Sequence, residues 1–177
     1  MSLFFVLNVL VLNYMAANFR IGNGYDVHRL ADGLPLWLGG IRVAHSKGCV
    51  AHSDGDVLIH ALCDALLGAA ALRDIGYHFP DSDTAYKGID SKILLAKVME
   101  LLRKKNYELG NADITLVLQQ PKVSALIPAM QQCLAAVMQV SENQISIKAT
   151  TSEGIGFAGR EEGAAAYATV LVYKKQG

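Results

Sequence analysis

Asp26-Val-His28 sets a carboxylate and an imidazole two residues apart, and on an extended segment that spacing turns both side chains to one side of the chain. Such a pair can grip a cation. A third ligand can come from His60, because Asp and His donors around one open position suit a catalytic zinc whose vacant site takes a substrate oxygen. Asp-x-His alone is a common pattern of low specificity. The stretch His52-Ser-Asp-Gly-Asp56-Val-Leu-Ile-His60 says more, since Asp56, His60 and Asp64 recur at i, i+4 and i+8 and share one helix face. Capping would account for Ser53 to Asp56, with the histidines left in solvent. It does not account for His60 within a segment otherwise rich in Ala and Leu. Asp64, one turn further on, is either a carboxylate that fixes which ring nitrogen of His60 faces a metal or a plain surface aspartate.

A second group lies far along the chain. Lys148-Ala-Thr-Thr-Ser-Glu153 ends a strand-like segment with hydroxyls, a carboxylate and then glycines, able to hold phosphate oxygens through hydroxyl and backbone N–H groups. Glu153 can hold Mg²⁺ between phosphates, because hard cations take one or two carboxylates plus substrate oxygens. Alone, the same residues make only a polar turn, and Gln120-Pro-Lys122 only an exit loop. The cysteines, at 49, 63 and 133, are odd in number and lack CxxC spacing, which excludes a disulfide framework and a four-thiolate zinc site. They read as small apolar residues in a reducing, cytoplasmic setting.

The elements that must position these groups follow from periodicity. Phe19 to Leu30 reads as extended, Ala31-Asp-Gly33 as a turn, and Pro35 to Val43 as a hairpin about Gly39-Gly40, followed by a loop from Ala44 to Ser53. Val57, Leu58, Ala61, Leu62, Ala65 and Leu66 recur at helical spacing, so a helix capped by Ser53 or Asp54 should run to Gly68. Further helices are predicted over Ser91–Lys105, whose basic end suits the helix dipole, and over Ser124–Gln139, with Pro128 in its opening turn. Strands are predicted at Ile114–Leu118, Gln144–Thr150 and Ala164–Tyr173. The order predicts a single α+β domain, a mixed sheet with helices packed on one face.

The 177 residues suffice for one core, and 16 basic against 16 acidic side chains remove the electrostatic footprint of a nucleic-acid binder. Apolar residues reach 52% and charged ones 18%, below the usual share of about 25%, which points to an oligomer. Residues 1–18 form an apolar extension ahead of a domain at 19–177. Its apolar run, Leu3 to Leu12, is shorter than the roughly 20 residues of a spanning helix and lacks the leading charge of a signal peptide, so no membrane association is expected. Three readings remain: a start at Met15 that makes Met1–Tyr14 an artefact, a signal or anchor, and an ordered element docked on a neighbour. The first is adopted.

Taken in order, Gly24-Tyr-Asp-Val-His28, Ala51-His-Ser-Asp-Gly-Asp-Val57, Asp64-Ala-Leu-Leu-Gly-Ala69, Asp74-Ile-Gly76, Phe79-Pro-Asp81, Lys87-Gly-Ile-Asp-Ser91, Gln120-Pro-Lys122, Lys148-Ala-Thr-Thr151 and Gly156-Phe-Ala-Gly-Arg160 resemble the 2-C-methyl-D-erythritol 2,4-cyclodiphosphate synthase family, from about Arg20 to Tyr173. The resemblance implies a phosphorus–oxygen lyase of the non-mevalonate isoprenoid pathway. Such an enzyme cyclises 4-diphosphocytidyl-2-C-methyl-D-erythritol 2-phosphate and releases CMP. It also implies a homotrimer with active sites between subunits.

By the same resemblance, Asp26, His28 and His60 hold zinc, and Glu153 helps hold Mg²⁺ or Mn²⁺ between the substrate phosphates. His52 and Thr151 match positions that stabilise the transition state, and Ser53 a phosphate contact. Val27 belongs to the same substrate-binding strand as Asp26 and His28. The methylerythritol end matches Asp74, Ile75, Gly76, Phe79, Pro80, Asp81, Ser82 and Asp83. The cytidine end matches Leu118, Gln119, Gln120, Pro121, Lys122, Val123 and Ser124 together with Thr150, Thr151, Ser152 and Glu153. Phe157 and Arg160 match substrate contacts that, in the trimer, also lie near an apolar axial cavity able to take an isoprenoid diphosphate.

The chain departs from the family at Thr150-Thr-Ser-Glu-Gly-Ile-Gly-Phe157, where the family commonly has Thr-Thr-Thr-Glu-Lys-Leu-Gly-Phe. Gly154 replaces the lysine, which bears on loop stiffness and local charge. A phosphohydrolase using the same zinc, and a noncatalytic nucleotide or isoprenoid-diphosphate binder, are the competing readings.

Overall fold

Strict alternation shapes the first strand, β1 (Phe19–Asp32): Gly22 and Gly24 are buried on one side while Ile21, Tyr25 and Val27 are exposed on the other. The computed structural model describes residues 18–175. The readings made for residues 1–17, including the start at Met15, lie outside that range. β2 (Leu36–Leu38) and β3 (Ile41–Val43) form the expected hairpin, with Gly39 and Gly40 at φ of 60° and 80° in the left-handed region that glycine enters freely. The stretch read as a loop from Ala44 to Ser53 contains a three-residue strand, β4 (Lys47–Cys49), paired antiparallel with the end of β1. Three residues are too few to show a period.

Helix α1 (Val57–Ala69) starts later than expected, because its cap is Asp56 and neither Ser53 nor Asp54. The Asp56 carboxylate accepts from Ile59 N at 3.1 Å and also from Gly39 N at 3.0 Å and Gly40 N at 2.7 Å. One buried side chain thus ties the helix start to the hairpin turn. Burial pushes this carboxyl up, while the three N–H donors pull the other way. Next come the short helix α2 (Ile75–His78), α3 (Ser91–Lys104) capped by Asp90, and β5 (Tyr107–Val117), which begins seven residues before the apolar run at Ile114. Helix α4 (Ile127–Met138) carries Pro128 in its first turn after a 3₁₀ turn at Ser124–Leu126. Then follow β6 (Ile145–Thr150), a short helix α5 (Gly156–Gly159) within the glycine-rich segment, and β7 (Gly163–Lys174).

The sheet order is β4-β1-β7-β5-β6, antiparallel except for the parallel pair β5/β6, which α4 bridges as a parallel connection requires. All helices longer than one turn pack on one face, over Ala164, Ala166, Ala168, Val170 and Val172 of β7 and Ile114 and Leu116 of β5. The expected mixed sheet with helices on one face is therefore what forms. Its other face is left uncovered by the described residues and carries Ile21 (65% exposed), Tyr25 (43%), Val27 (42%) and Tyr167 (49%). No helix among the described residues is long and apolar enough to cross a membrane.

Helix α1 lies directly on β1, and glycine permits it. A Cβ at Gly22 would overlap the carbonyl of Ala65, and one at Gly24 that of Ala61. Gly24→Ala should therefore force α1 outward and destabilise the fold by about 1–3 kcal/mol, as overpacking does. Gly68→Ala is the control: Gly68 is exposed and a Cβ there would stand 4.0 Å from the Asn23 carbonyl oxygen, so this change should be neutral or mildly stabilising. Urea denaturation midpoints of both variants decide the point, and equal midpoints would contradict the close-packing account.

Candidate active site

Asp26 and His28 leave β1 on the face that carries Gly22 and Gly24, just past the point where α1 covers it, and His60 reaches them from the first turn of α1. Asp26 Oδ2 lies 3.0 Å from His28 Nε2 and 3.1 Å from His60 Nδ1, and those two nitrogens are 3.0 Å apart. These edges are close to the roughly 3.3 Å that a tetrahedral zinc with 2.0–2.1 Å bonds would impose. Among the described residues this is the one cluster of three or more His, Cys, Asp or Glu donors arranged to hold a metal ion. The donor set fits a divalent transition metal with an open position. Burial alone would raise the Asp26 pKa, but hydrogen bonds to His28 and His60 hold its carboxyl well below the usual range. Burial likewise opposes charge on His60, and the Asp26 carboxylate overrides it and raises that imidazole.

The other ring nitrogen of His60 does not meet Asp64. His60 Nε2 lies 2.9 Å from Ser91 Oγ and 3.1 Å from Ser53 Oγ. Ser91 is in turn bound through both its N–H, at 2.9 Å, and its hydroxyl to the Asp54 carboxylate. Asp64 instead accepts from Ile75 N at 2.7 Å, and burial raises its pKa. Of the two sequence readings of Asp64, neither holds: it is a half-buried anchor for the start of α2. The sequence marked Ser91 only as the end of the Lys87–Ser91 motif and the start of a helix, with no site role, because a helix-start serine after Asp90 looks like a cap. Its complete burial is what marks it.

Asp26, His28, His52, Ser53 and His60 share a cleft of about 340 Å³ with Ile75, Gly76, Phe79 and Asp81, so the metal end and the loop of the expected methylerythritol end come together. Val50, Ala51, Tyr86, Ile89 and Leu94 also line it, and of these Val50 and Tyr86 carried no sequence signal. Asp74 caps α2 through Tyr77 N at 2.9 Å, and Asp83 caps the following turn through Ala85 N at 2.9 Å, with Pro80 and Ser82 between them. His52 Nε2 is buried without a hydrogen-bond partner among the described residues.

The cytidine-end residues form a separate group. Leu118 N donates to Thr150 O at 3.0 Å, which sets Leu118–Ser124 beside Thr150–Glu153. Gln119 Oε1 is buried there without a hydrogen-bond partner among the described residues, and Thr151 Oγ1 donates to Glu153 Oε1 at 2.6 Å. Gly154 has φ 77°, a conformation glycine takes without strain, which accommodates the departure from lysine. Across the sheet Asp26 aligns with Ala166, Leu116 and Ala149. Three strand spacings of about 4.8 Å, roughly 14 Å in all, therefore separate Asp26 from the strand that delivers Thr150. Arg160 is exposed and paired with Glu162 at 2.9 Å, and Phe157 covers Gly163.

The YgbB family model matches residues 19–173. The chain belongs to the YgbB family. It is 66% identical over 158 residues to the 2-C-methyl-D-erythritol 2,4-cyclodiphosphate synthase of Porphyromonas gingivalis strain W83, covering 89% of this chain and 98% of that one. Among solved structures, the IspF–CDP complex of Plasmodium falciparum is 34% identical with a TM-score of 0.79, covering 90% of this chain and 98% of that one. The bifunctional IspDF of Campylobacter jejuni is 42% identical with a TM-score of 0.86. This chain is covered to 89% but spans only 43% of that longer protein. In this YgbB-family chain, Asp26, His28 and His60 form the cluster able to hold a metal ion. His60→Ala should leave a folded protein that no longer retains a stoichiometric divalent metal after gel filtration. Elemental analysis that still finds full occupancy would place the metal elsewhere.

Proposed function

We infer that the chain is a 2-C-methyl-D-erythritol 2,4-cyclodiphosphate synthase, a lyase of the methylerythritol phosphate route to isoprenoids. It converts 4-diphosphocytidyl-2-C-methyl-D-erythritol 2-phosphate into the 2,4-cyclodiphosphate and CMP. The carrying observation is the Asp26–His28–His60 donor set opening into the cleft of Ser53, Gly76 and Asp81, in a chain of this family. An oxygen of the 2-phosphate forms a bond to the β-phosphorus. The bond from that phosphorus to the oxygen bridging it to the α-phosphorus breaks, and CMP leaves with that oxygen and its electron pair. No water and no enzyme nucleophile is consumed.

Two anions must approach in line, so positioning and charge neutralisation supply most of the acceleration. Zn²⁺ held by Asp26, His28 and His60, and Mg²⁺ or Mn²⁺ with Glu153, would supply Lewis-acid neutralisation of the diphosphate oxygens when bound. Ser53 and His52, whose Nε2 has no hydrogen-bond partner among the described residues, lie in the cleft to meet phosphate. Asp64 holds Ile75, and with it the loop that closes on the methylerythritol hydroxyls, by its bond to Ile75 N. Thr151 steadies the phosphate from the nucleotide side, while Lys122 and residues 118–124 hold the cytidine. Phosphorus NMR of the protein with substrate, Zn²⁺ and Mg²⁺ should show cyclic diphosphate and CMP in equal amounts. Open-chain phosphates would make it a hydrolase, and metal binding without turnover a binder.

The roughly 14 Å between the two halves within one chain argues that each site is built from two copies. The open sheet face, with Tyr25 and Tyr167 rings 4.8 Å apart, offers the apolar surface for a homotrimer. Phe157 and Arg160 then gather near the axis, at a cavity that takes an isoprenoid diphosphate. Three free cysteines, two of them buried, suit a cytoplasmic location. Co-expressed Asp26→Ala and Glu153→Ala chains, each inactive alone, should recover about a quarter of wild-type activity, because random mixing leaves that share of heterologous sites intact. No recovery in mixed trimers would put both halves in one chain.

A further inference from the structure

Ser91 is fully buried and polar, and it sits between a metal-facing histidine and a carboxylate. The donor and acceptor inventory of that chain of contacts has one solution. Asp54, as a carboxylate, can only accept. Its Oδ2 takes Ser91 N–H at 2.9 Å, and its Oδ1 takes the Ser91 hydroxyl proton and Asp56 N–H at 3.2 Å. The single hydroxyl proton of Ser91 is thereby committed, so Ser91 Oγ faces His60 Nε2, 2.9 Å away, with lone pairs alone. His60 Nε2 must then carry the proton and donate it. Ser53 Oγ, at 3.1 Å from the same nitrogen, already accepts Gly55 N–H at 3.2 Å and is the longer of the two contacts.

We propose that Asp54 and Ser91 are positioning residues that lock His60 in its Nε2–H tautomer and aim the Nδ1 lone pair at the cation shared with Asp26 and His28. They touch neither the cation nor the substrate. The inference rests on the metal-site reading above and adds what makes His60 a competent ligand. A neutral imidazole binds through only one nitrogen, and a histidine free to choose its tautomer presents the wrong one part of the time. The side chains that hold the ring come from the loop before α1 and the start of α3, so the lock also couples the metal to the α3 end of the cleft.

The test uses the full-length, zinc-loaded protein labelled with ¹⁵N-histidine. Long-range proton–nitrogen correlation should show His60 with a protonated Nε2 and a metal-bound Nδ1. Protonated Nδ1 would overturn the proposal, and this measurement needs no variant to fold. Ser91→Ala, and Asp54→Asn, which offers one acceptor oxygen to three donors, should each weaken zinc about 10–100-fold in competition with a chromophoric chelator, the range found for such outer contacts. In both, the d–d spectrum of the cobalt-substituted protein should shift, which a merely structural role would not produce. Unchanged affinity and spectrum in folded variants would refute the lock while leaving the metal site standing. Wild-type protein that takes up no zinc would remove both, so the two failures are distinguishable.

Discussion

Contact between the backbone of α1 and the strand β1 decides where the chemistry of this protein can occur. With side chains at positions 22 and 24 the helix would ride higher on the sheet, and His60 would stand too far from Asp26 and His28 to share a cation with them. Glycine gives up entropy at both positions, and the fold accepts this because the helix then buries its whole apolar run, Val57 to Ala69, against β1 and β7. Core packing and ligand geometry are here one constraint. The same contact leaves Asp26 and His28 just beyond the helix end, half-buried and open to the cleft.

Four carboxylates of similar sequence setting do different work because the tertiary structure gives each a different set of donors. Asp26 faces two imidazoles and completes a donor set able to hold a cation. Asp54 holds Ser91, Asp56 ties the helix start to the hairpin turn, and Asp64 anchors the first residue of α2. Burial works against the charge of Asp26, Asp56 and Asp64, and their N–H or imidazole partners work the other way. The cysteines show the contrast: Cys49, without such partners, has its thiol pushed up to about 12 by burial and nearby carboxylates, which makes it inert packing.

The two groups of candidate site residues stand on different strands of one sheet, and the sheet keeps them apart. Its open face carries aromatic and β-branched side chains in numbers that water does not favour, beside the strand ends that carry Thr150 and Leu118. On the proposed reading, a second copy of the chain would cover this face and bring the two groups together.

Much of this was legible in the amino-acid order. The helices and central strands follow from apolar periodicity, because a face that must be buried has to recur at the period of its backbone. The pairing of Asp26 with His28, and the oddity of His60 in an apolar helix, were visible as residue types in the wrong company, and the motif series identified the family. What the order of residues could not decide was partnership across the fold. That Asp56 rather than Ser53 or Asp54 caps α1, that β4 is a strand, that Asp64 serves Ile75, and that a serine at a helix start fixes a histidine 31 residues away all depend on which donors stand within 3 Å. That distance is set by packing of segments remote in sequence. Only the tertiary structure could also show that Thr150 to Glu153, so suggestive beside the metal ligands on paper, sit three strands away from them, because strand order in a sheet is not chain order.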